Sequence, residues 1–342
     1  LFIAYCFRAY ANHYDAAGEK YSFDNVSGWF VYWNLDAGLE SLANNPDIFD
    51  QINPFYWSLG RNGRIIEGLP SFRENARFAS IIKKRGMKII PTIVNDRISA
   101  DGKAKRLKDA DIIHNILITG AKRKKHIKNI LSLIESYGYD GIDIDYENLY
   151  FKDRELFTDF IQELSAALHL KGKILTVTVG QKREESAKDG PSAIDWAAIA
   201  QFADSIKIMC YNFSSPLSGP GPIAPPAWVE DIVVFSKKYI PAQKLTIAIA
   251  LHGFDWSEQK SRSISFDTAK ETALIYKSDI AWDEASSTPH FAYFENGKRH
   301  EVWFEDKRSV SDKLNILKKH GIRNLAFWRL GGEDKDIYEL LE

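Results

Sequence analysis

Short apolar runs bounded by Gly, Pro or Asn alternate along this chain with longer stretches whose apolar residues recur near every 3.6 positions. A strand buried on both faces reads as a short continuous apolar run, and a helix covering it as a one-sided amphipathic segment. The alternation therefore predicts a parallel sheet covered by helices. Strand candidates fall at residues 29–33, 52–57, 88–94, 141–146, 174–179, 205–211, 245–250 and 324–328. Helical stretches lie between them at 74–84, 125–137, 154–168, 228–238 and 311–319. Eight strands in this order predict an α/β fold closed as a TIM (β/α)8 barrel.

The alternation breaks once, between the seventh and eighth strands. Residues 254–306 carry a helical period at 268–276 and a hairpin pattern at 291–304, so they read as a small α+β insertion. The hairpin turn is placed at Asn296-Gly297, because a tight turn there needs the positive φ angles this pair tolerates. Residues 1–25 read as an N-terminal extension and 26–342 as one barrel domain. Barrels of this kind run from ~200 to more than 400 residues, so 342 need no second domain.

Composition narrows the function classes. Hydrophobic residues make up 45% and charged residues 27%, the balance of a folded globular chain. Lys plus Arg (45) nearly cancel Asp plus Glu (46), which leaves no global field to draw the chain onto nucleic acid or an anionic membrane. The basic run 122–128 falls on a helical pattern with Ile127, Ile130, Leu131 and Ile134, so it reads as a solvated helix face. With two cysteines, Cys6 near the start and Cys210 in an apolar run, no disulfide framework is expected. No apolar run reaches the ~20 residues of a membrane span. The opening Leu1-Phe2-Ile3-Ala4-Tyr5-Cys6 reads as the remnant of an export signal.

The most informative segment is Asp140-Gly141-Ile142-Asp143-Ile144-Asp145-Tyr146-Glu147. Strand periodicity puts Asp143, Asp145 and Glu147 on one face, with successive carboxylates roughly 6 to 7 Å apart along the strand. In a barrel that face points inward, near the C-terminal end where such folds do their chemistry. Like charges stacked in a low-dielectric pocket cannot all ionise together, so one carboxyl is expected to hold a proton near neutral pH. A carboxylate metal site is the competing reading, but it needs oxygen ligands converging from separate loops. No metal or cofactor is therefore assigned.

The pattern Asp140-x-x-Asp143-x-Asp145-x-Glu147 resembles the DxxDxDxE signature of glycoside hydrolase family 18, the chitinase family. Met209-Cys210-Tyr211-Asn212 is similar to the family's MxYD, and Trp328 to its tryptophan on the eighth strand. Segments 52–57, 302–306 and 328–334 are similar to the bacterial branch that includes spore-cortex-lytic enzymes. The resemblance implies a retaining hydrolase that cleaves β-1,4 linkages in N-acetylglucosamine-containing glycans, either peptidoglycan or chitin-like. Catalysis is then substrate-assisted. Glu147 serves as general acid and base, Asp145 and Asp143 steady the oxazolinium ion formed by the substrate's acetamido group, and Tyr211 orients the acetamido oxygen. Trp328, Asn212, Met209, Tyr32, Trp57 and Asp140 are the implied substrate-binding residues.

Three departures qualify this picture. Asn212 replaces the family's Asp and cannot carry its charge. The third-strand SxGG element is absent, with residues 92–96 in its place, and His252 stands where many relatives carry Tyr, either lining the cleft or packed. Among nine Trp, Trp33, Trp57 and Trp256 taken alone read as core, whereas Trp328 reads as a sugar-stacking floor. Two other functions stay open, a glycan-binding member with little turnover and an endo-β-N-acetylglucosaminidase acting on glycoproteins. The expected partner is an N-acetylhexosamine polysaccharide and the expected state a monomer.

Overall fold

The computed structural model describes residues 20–60, 63–67, 82, 85–98, 105–258 and 260–341. Most of the expected N-terminal extension, with Cys6, and the expected helix at 74–84 apart from Ile82 lie outside the described residues.

Eight parallel strands close the barrel: β1 (Asn25–Val31), β2 (Gln51–Leu59), β3 (Thr92–Ile98), β4 (Gly141–Asp145), β5 (Ile174–Gly180), β6 (Ser205–Met209), β7 (Leu245–Ala250) and β8 (Asn324–Trp328). Each strand pairs with its sequence neighbour, and β1 pairs with β8 through Asn25↔Asn324 to Gly28↔Phe327, which shuts the ring. Closure removes every sheet edge of the barrel. Helices such as Gly120–Tyr137, Arg154–His169, Pro226–Ser236 and Lys307–Lys319 cover the outside. Their apolar faces pack on Ile, Leu, Val and Phe side chains in one continuous core. The basic run lies on Gly120–Tyr137 with Lys122, Lys124, Lys125 and Lys128 exposed and Ile127, Ile130 and Ile134 buried, as its periodicity predicts.

Three boundaries differ from the sequence expectation. The first strand is Asn25–Val31 rather than 29–33, because Tyr32–Asn34 turns into a short 3-10 helix. The third begins as Lys88–Ile89 and resumes at Thr92, with Pro91, which has no N–H to donate to a ladder, in the gap. The sixth ends at Met209, so Tyr211 lies past the strand on the catalytic-end loop.

Gly141 opens β4 at a point where only glycine fits. A Cβ there would meet the Ile174 carbonyl oxygen of β5 at 2.2 Å. The absent side chain lets the two strands approach where the carboxylate ladder begins.

The insertion forms its own five-stranded antiparallel sheet, ordered Ser261–Ser265, His252–Ser257, Lys298–Trp303, Thr288–Glu295, Ala281–Asp283, with the helix Phe266–Tyr276 packed against it. It begins at His252, two residues earlier than expected. The hairpin turns on Asn296 (φ 51°) and Gly297 (φ 77°), the positive angles anticipated for that pair. Buried Asp255 ties the sheet together by accepting hydrogen bonds from Arg262, Tyr293 and His300. No described helix is long and apolar enough to cross a membrane.

Candidate active site

The three carboxylates of the fourth strand form a ladder that climbs out of the barrel. Asp143 is fully buried, the Asp145 side chain is 6% exposed and the Glu147 side chain 29%. Asp143 sits lowest and accepts hydrogen bonds from the hydroxyls of Thr92 (2.8 Å), Thr176 and Thr178 (3.0 Å), which project inward from β3 and β5. Lys207, buried on β6, lies 3.5 Å away with its ammonium 4.8 Å above the Trp29 ring. Trp29 in turn donates its indole N–H to Thr92 at 3.0 Å. This network fixes the orientation of Asp143 from four strands.

Asp145, the middle rung, has one oxygen 3.3 Å from the Lys108 ammonium. Its other oxygen, Oδ1, is buried with no hydrogen-bond partner among the described residues. Burial pushes its pKa up to about 8; the charges of Glu147 and Asp143 act in the same direction and Lys108 against it. The carboxyl expected to hold a proton near neutral pH is thus Asp145.

Glu147, the top rung, forms an ion pair with Lys108 at Oε1. Its backbone is clamped by Asn95 of β3, which donates to the Glu147 carbonyl (2.8 Å) and accepts from its N–H (2.9 Å). The clamp holds the strand's direction for two residues past the end of β4. Lys108 stands in the left-handed region (φ 50°), its N–H donating to Asp96. Burial works against its charge, yet Asp145, Glu147 and Asp96 outweigh that and raise its pKa.

An aromatic floor adjoins the ladder. The Trp328 ring lies nearly parallel to Tyr211 (15°, centroids 6.4 Å apart) and edge-on to Trp29 and Phe55 at 5.8 and 5.1 Å. Met209 packs against the same group, which Phe254 and Trp256 of the insertion extend. Burial, with Asp145 and Glu147 next, raises the Tyr211 phenol well above its usual range, which keeps it a neutral donor.

Asp143, Asp145, Glu147, Tyr211, Trp328 and Met209 are therefore brought together. Asn212 follows Tyr211 on the same loop, exposed and at φ 64°, a conformation that Asn tolerates well. Three expected binding residues stand elsewhere. Asp140 precedes β4 at the opposite end of the barrel and accepts the Ile89 N–H at 2.8 Å. Trp57 is buried in the outer core against Tyr137, because register shifts on either side of it turn its side chain away from Phe55's face. Tyr32 packs edge-on to Trp33 and against the main core rather than the ladder. Trp33, read as core, is half exposed and packs edge-on to Phe55. His252 is packed: burial, then Arg329, lowers its pKa to about 4, while a hydrogen bond to the Trp328 carbonyl acts the other way.

Lys108, Lys207, Asn95 and the three threonines were not singled out from the sequence. Residues 174–180 and 205–209 do carry a signal, since Thr176, Thr178 and Lys207 alternate with apolar residues at period two on strands that should be apolar throughout. Lys108 carries none, standing in a Lys/Arg-rich stretch that reads as surface. Among the described residues no group of three or more His, Cys, Asp or Glu side chains is arranged to hold a metal ion.

The model of "Glycosyl hydrolases family 18" matches residues 98–334. The cortical fragment-lytic enzyme of Bacillus anthracis is 33% identical over 310 residues, which cover 85% of this chain and 68% of that protein. The crystal structure of the Bacillus cereus spore cortex-lytic enzyme SleL is similar at a TM-score of 0.81 and 28% identity, over 94% of this chain and 74% of the other. A chitinase from Chromobacterium violaceum, 24% identical, shares the fold at a TM-score of 0.80 over 92% and 97% of the two chains. Since the matched span takes in the ladder, Lys108 and the Tyr211 and Trp328 part of the aromatic floor, the chain belongs to glycosyl hydrolase family 18 and is a glycosidase of that family.

Proposed function

We propose that this glycosidase cleaves β-1,4 linkages of an N-acetylglucosamine-containing glycan, of peptidoglycan or chitin type, with retention and with the substrate's acetamido group as the internal nucleophile. The observation that carries the reading is the middle rung, a buried carboxyl with its pKa raised to about 8 and one oxygen without a partner among the described residues, between a fixed Asp143 and a partly exposed Glu147. Asp145 Oδ1 is free to accept the acetamido N–H, while the Tyr211 hydroxyl orients the acetamido oxygen for attack on the anomeric carbon. Trp328 supports the apolar face of the sugar being cleaved. Once Lys108 has moved off, Glu147 takes up a proton from solvent and gives it to the departing glycosidic oxygen, then takes one from the water that opens the oxazolinium ring. As positive charge develops on the ring nitrogen, Asp145 shares its proton with Asp143 and faces the cation as an anion.

Lys108 has to leave Glu147 Oε1 before that oxygen can serve the glycosidic bond. The ion pair is the one observation favouring a second reading, a glycan-binding member with slow turnover. Glu147→Gln separates the two. The amide keeps the shape but cannot donate the proton, so reducing-end release from peptidoglycan and chitin oligomers should fall by at least about 10²-fold while oligomer affinity is kept. Equal release by the two proteins removes Glu147 from the mechanism, and binding without release by both supports the second reading.

A further inference from the structure

Beside the aromatic floor lies a cavity of about 410 Å³, within the roughly 300–1,000 Å³ of small-molecule pockets. Asn34 after β1, Arg329 after β8, and Arg262, Ser263, Ser265 and Thr268 of the insertion line it. Arg329 follows Trp328 directly, so a glycan stacked on Trp328 carries its neighbouring sugar towards this cavity.

Arg329 is partly buried, and its Nη1 is shielded from solvent with no hydrogen-bond partner among the described residues. A charged donor left unpaired in that way is costly, and an acceptor that satisfies it gains correspondingly. The nearest carboxylate does not serve. Glu333 is already engaged by the Tyr338 hydroxyl (2.7 Å), Ser41 and the Gly331 N–H, and acts on Arg329 only across space. His252, also beside Arg329, is neutral above about pH 4. Arg262 spends its Nε and Nη2 on Asp255. Asp267, exposed at the lining, is the one carboxylate facing the cavity among the described residues, and Lys335 stands within its field.

We propose that Arg329 is a specificity-determining residue whose guanidinium, in this hydroxyl-lined cavity, takes the carboxylate of an acidic sugar next to the one being cleaved. The planar fork of a guanidinium matches a carboxylate with two parallel hydrogen bonds. The ligand class is an N-acetylhexosamine glycan in which alternate sugars carry an ether-linked lactic acid whose carboxylate is free of peptide, as opposed to an uncharged N-acetylglucosamine polymer. Ser263 and the outward member of the pair Ser265 and Thr268, whose hydroxyls bond each other at 2.9 Å, offer hydroxyls to the ether oxygen of such a substituent. The inference rests on the glycosidase reading above and names which of its two polymer types the cleft selects.

The test uses one tetrasaccharide of alternating N-acetylglucosamine and N-acetylmuramic acid in two forms, with free lactyl carboxylates and with the same groups amidated. Wild-type protein should show kcat/KM about tenfold or more in favour of the free acid, the scale of one charge-assisted pair. Arg329→Gln should bring that ratio to about one, and Arg329→Lys should restore part of it. A wild-type ratio near one overturns the proposal without any variant, and so does a ratio that survives in Arg329→Gln while both rates fall together. If wild type turns over neither form, the glycosidase reading fails separately, and calorimetric affinities for the two forms, judged by the same ratio, still decide the role of Arg329.

Discussion

At the scale of single residues, burial has set three titrations against one another. Asp145 is held protonated to about pH 8, whereas burial depresses His126 and His252 to about 4. A carboxyl with a raised pKa stabilises the fold below its unfolded value of 3.8 and loses that contribution as pH rises through 8. The buried histidines contribute above 6.5 and lose it as pH falls through 4. Between pH 4 and 6.5 the unfolded chain binds two histidine protons against one on native Asp145, so stability rises with pH; between 6.5 and 8 only the native state holds the extra proton, so it falls. These groups therefore set a stability maximum near pH 6.5. Urea unfolding of Asp145→Asn should remove the decline on the alkaline side and keep the acid one. If the variant follows wild type throughout, Asp145 does not hold the proton assigned to it.

The ladder itself was legible in the sequence, because period-two acids on an apolar strand have few other meanings. The charge that balances its top rung was not. Lys108 reaches Glu147 because it alone in the turn at 105–109 takes left-handed backbone, which carries it from a basic, surface-like stretch back over the barrel mouth. Nothing in the spacing of residues 103–108 encodes that return.

At the scale of elements, the site depends on how closely β4 and β5 approach. Gly141 stands against the Ile174 carbonyl, and no flexible side chain is available to give way. Gly141→Ala should force the two strands apart at the foot of the ladder and cost about 1–3 kcal/mol, the usual scale of overpacking. Thermal unfolding with activity measured alongside checks it, and an unchanged melting temperature would mean that the strands yield freely. Element existence and order were readable from apolar periodicity, and the eight strands stand where it put them to within a few residues. Orientation was less readable. Trp57 shares parity with Phe55 and on strict alternation faces the cleft, but the register shifts around it send it to the helix layer. Asp140 belongs to the same motif as Glu147, yet one lies at the foot of the strand and the other beyond its top. A linear motif does not reveal which of its members pack at the foot of a strand and which reach the cleft.

At the scale of the whole molecule, a closed barrel fixes the polar groups and the insertion builds one wall. Side chains from three other strands converge on Asp143, so the lower ladder needs no loop to order it, whereas the cavity around Arg329 is closed by the strand Ser261–Ser265 against the loops after β1 and β8. The fold was legible because burial on both faces of a parallel sheet writes itself into composition. The cavity was not, since it joins segments as far apart in sequence as Asn34, Arg262 and Arg329.

The mechanism proposed for this site turns on the acetamido group acting as nucleophile, and the anomeric configuration of the first product tests that directly. Proton NMR, recorded immediately after protein is added to N-acetylglucosamine oligomers, should show the new reducing end in the β form. N-deacetylated oligomers of the same length should release nothing. Initial formation of the α anomer, or comparable cleavage of the deacetylated oligomers, would contradict the roles of Asp145 as the acetamido acceptor and Glu147 as the proton donor.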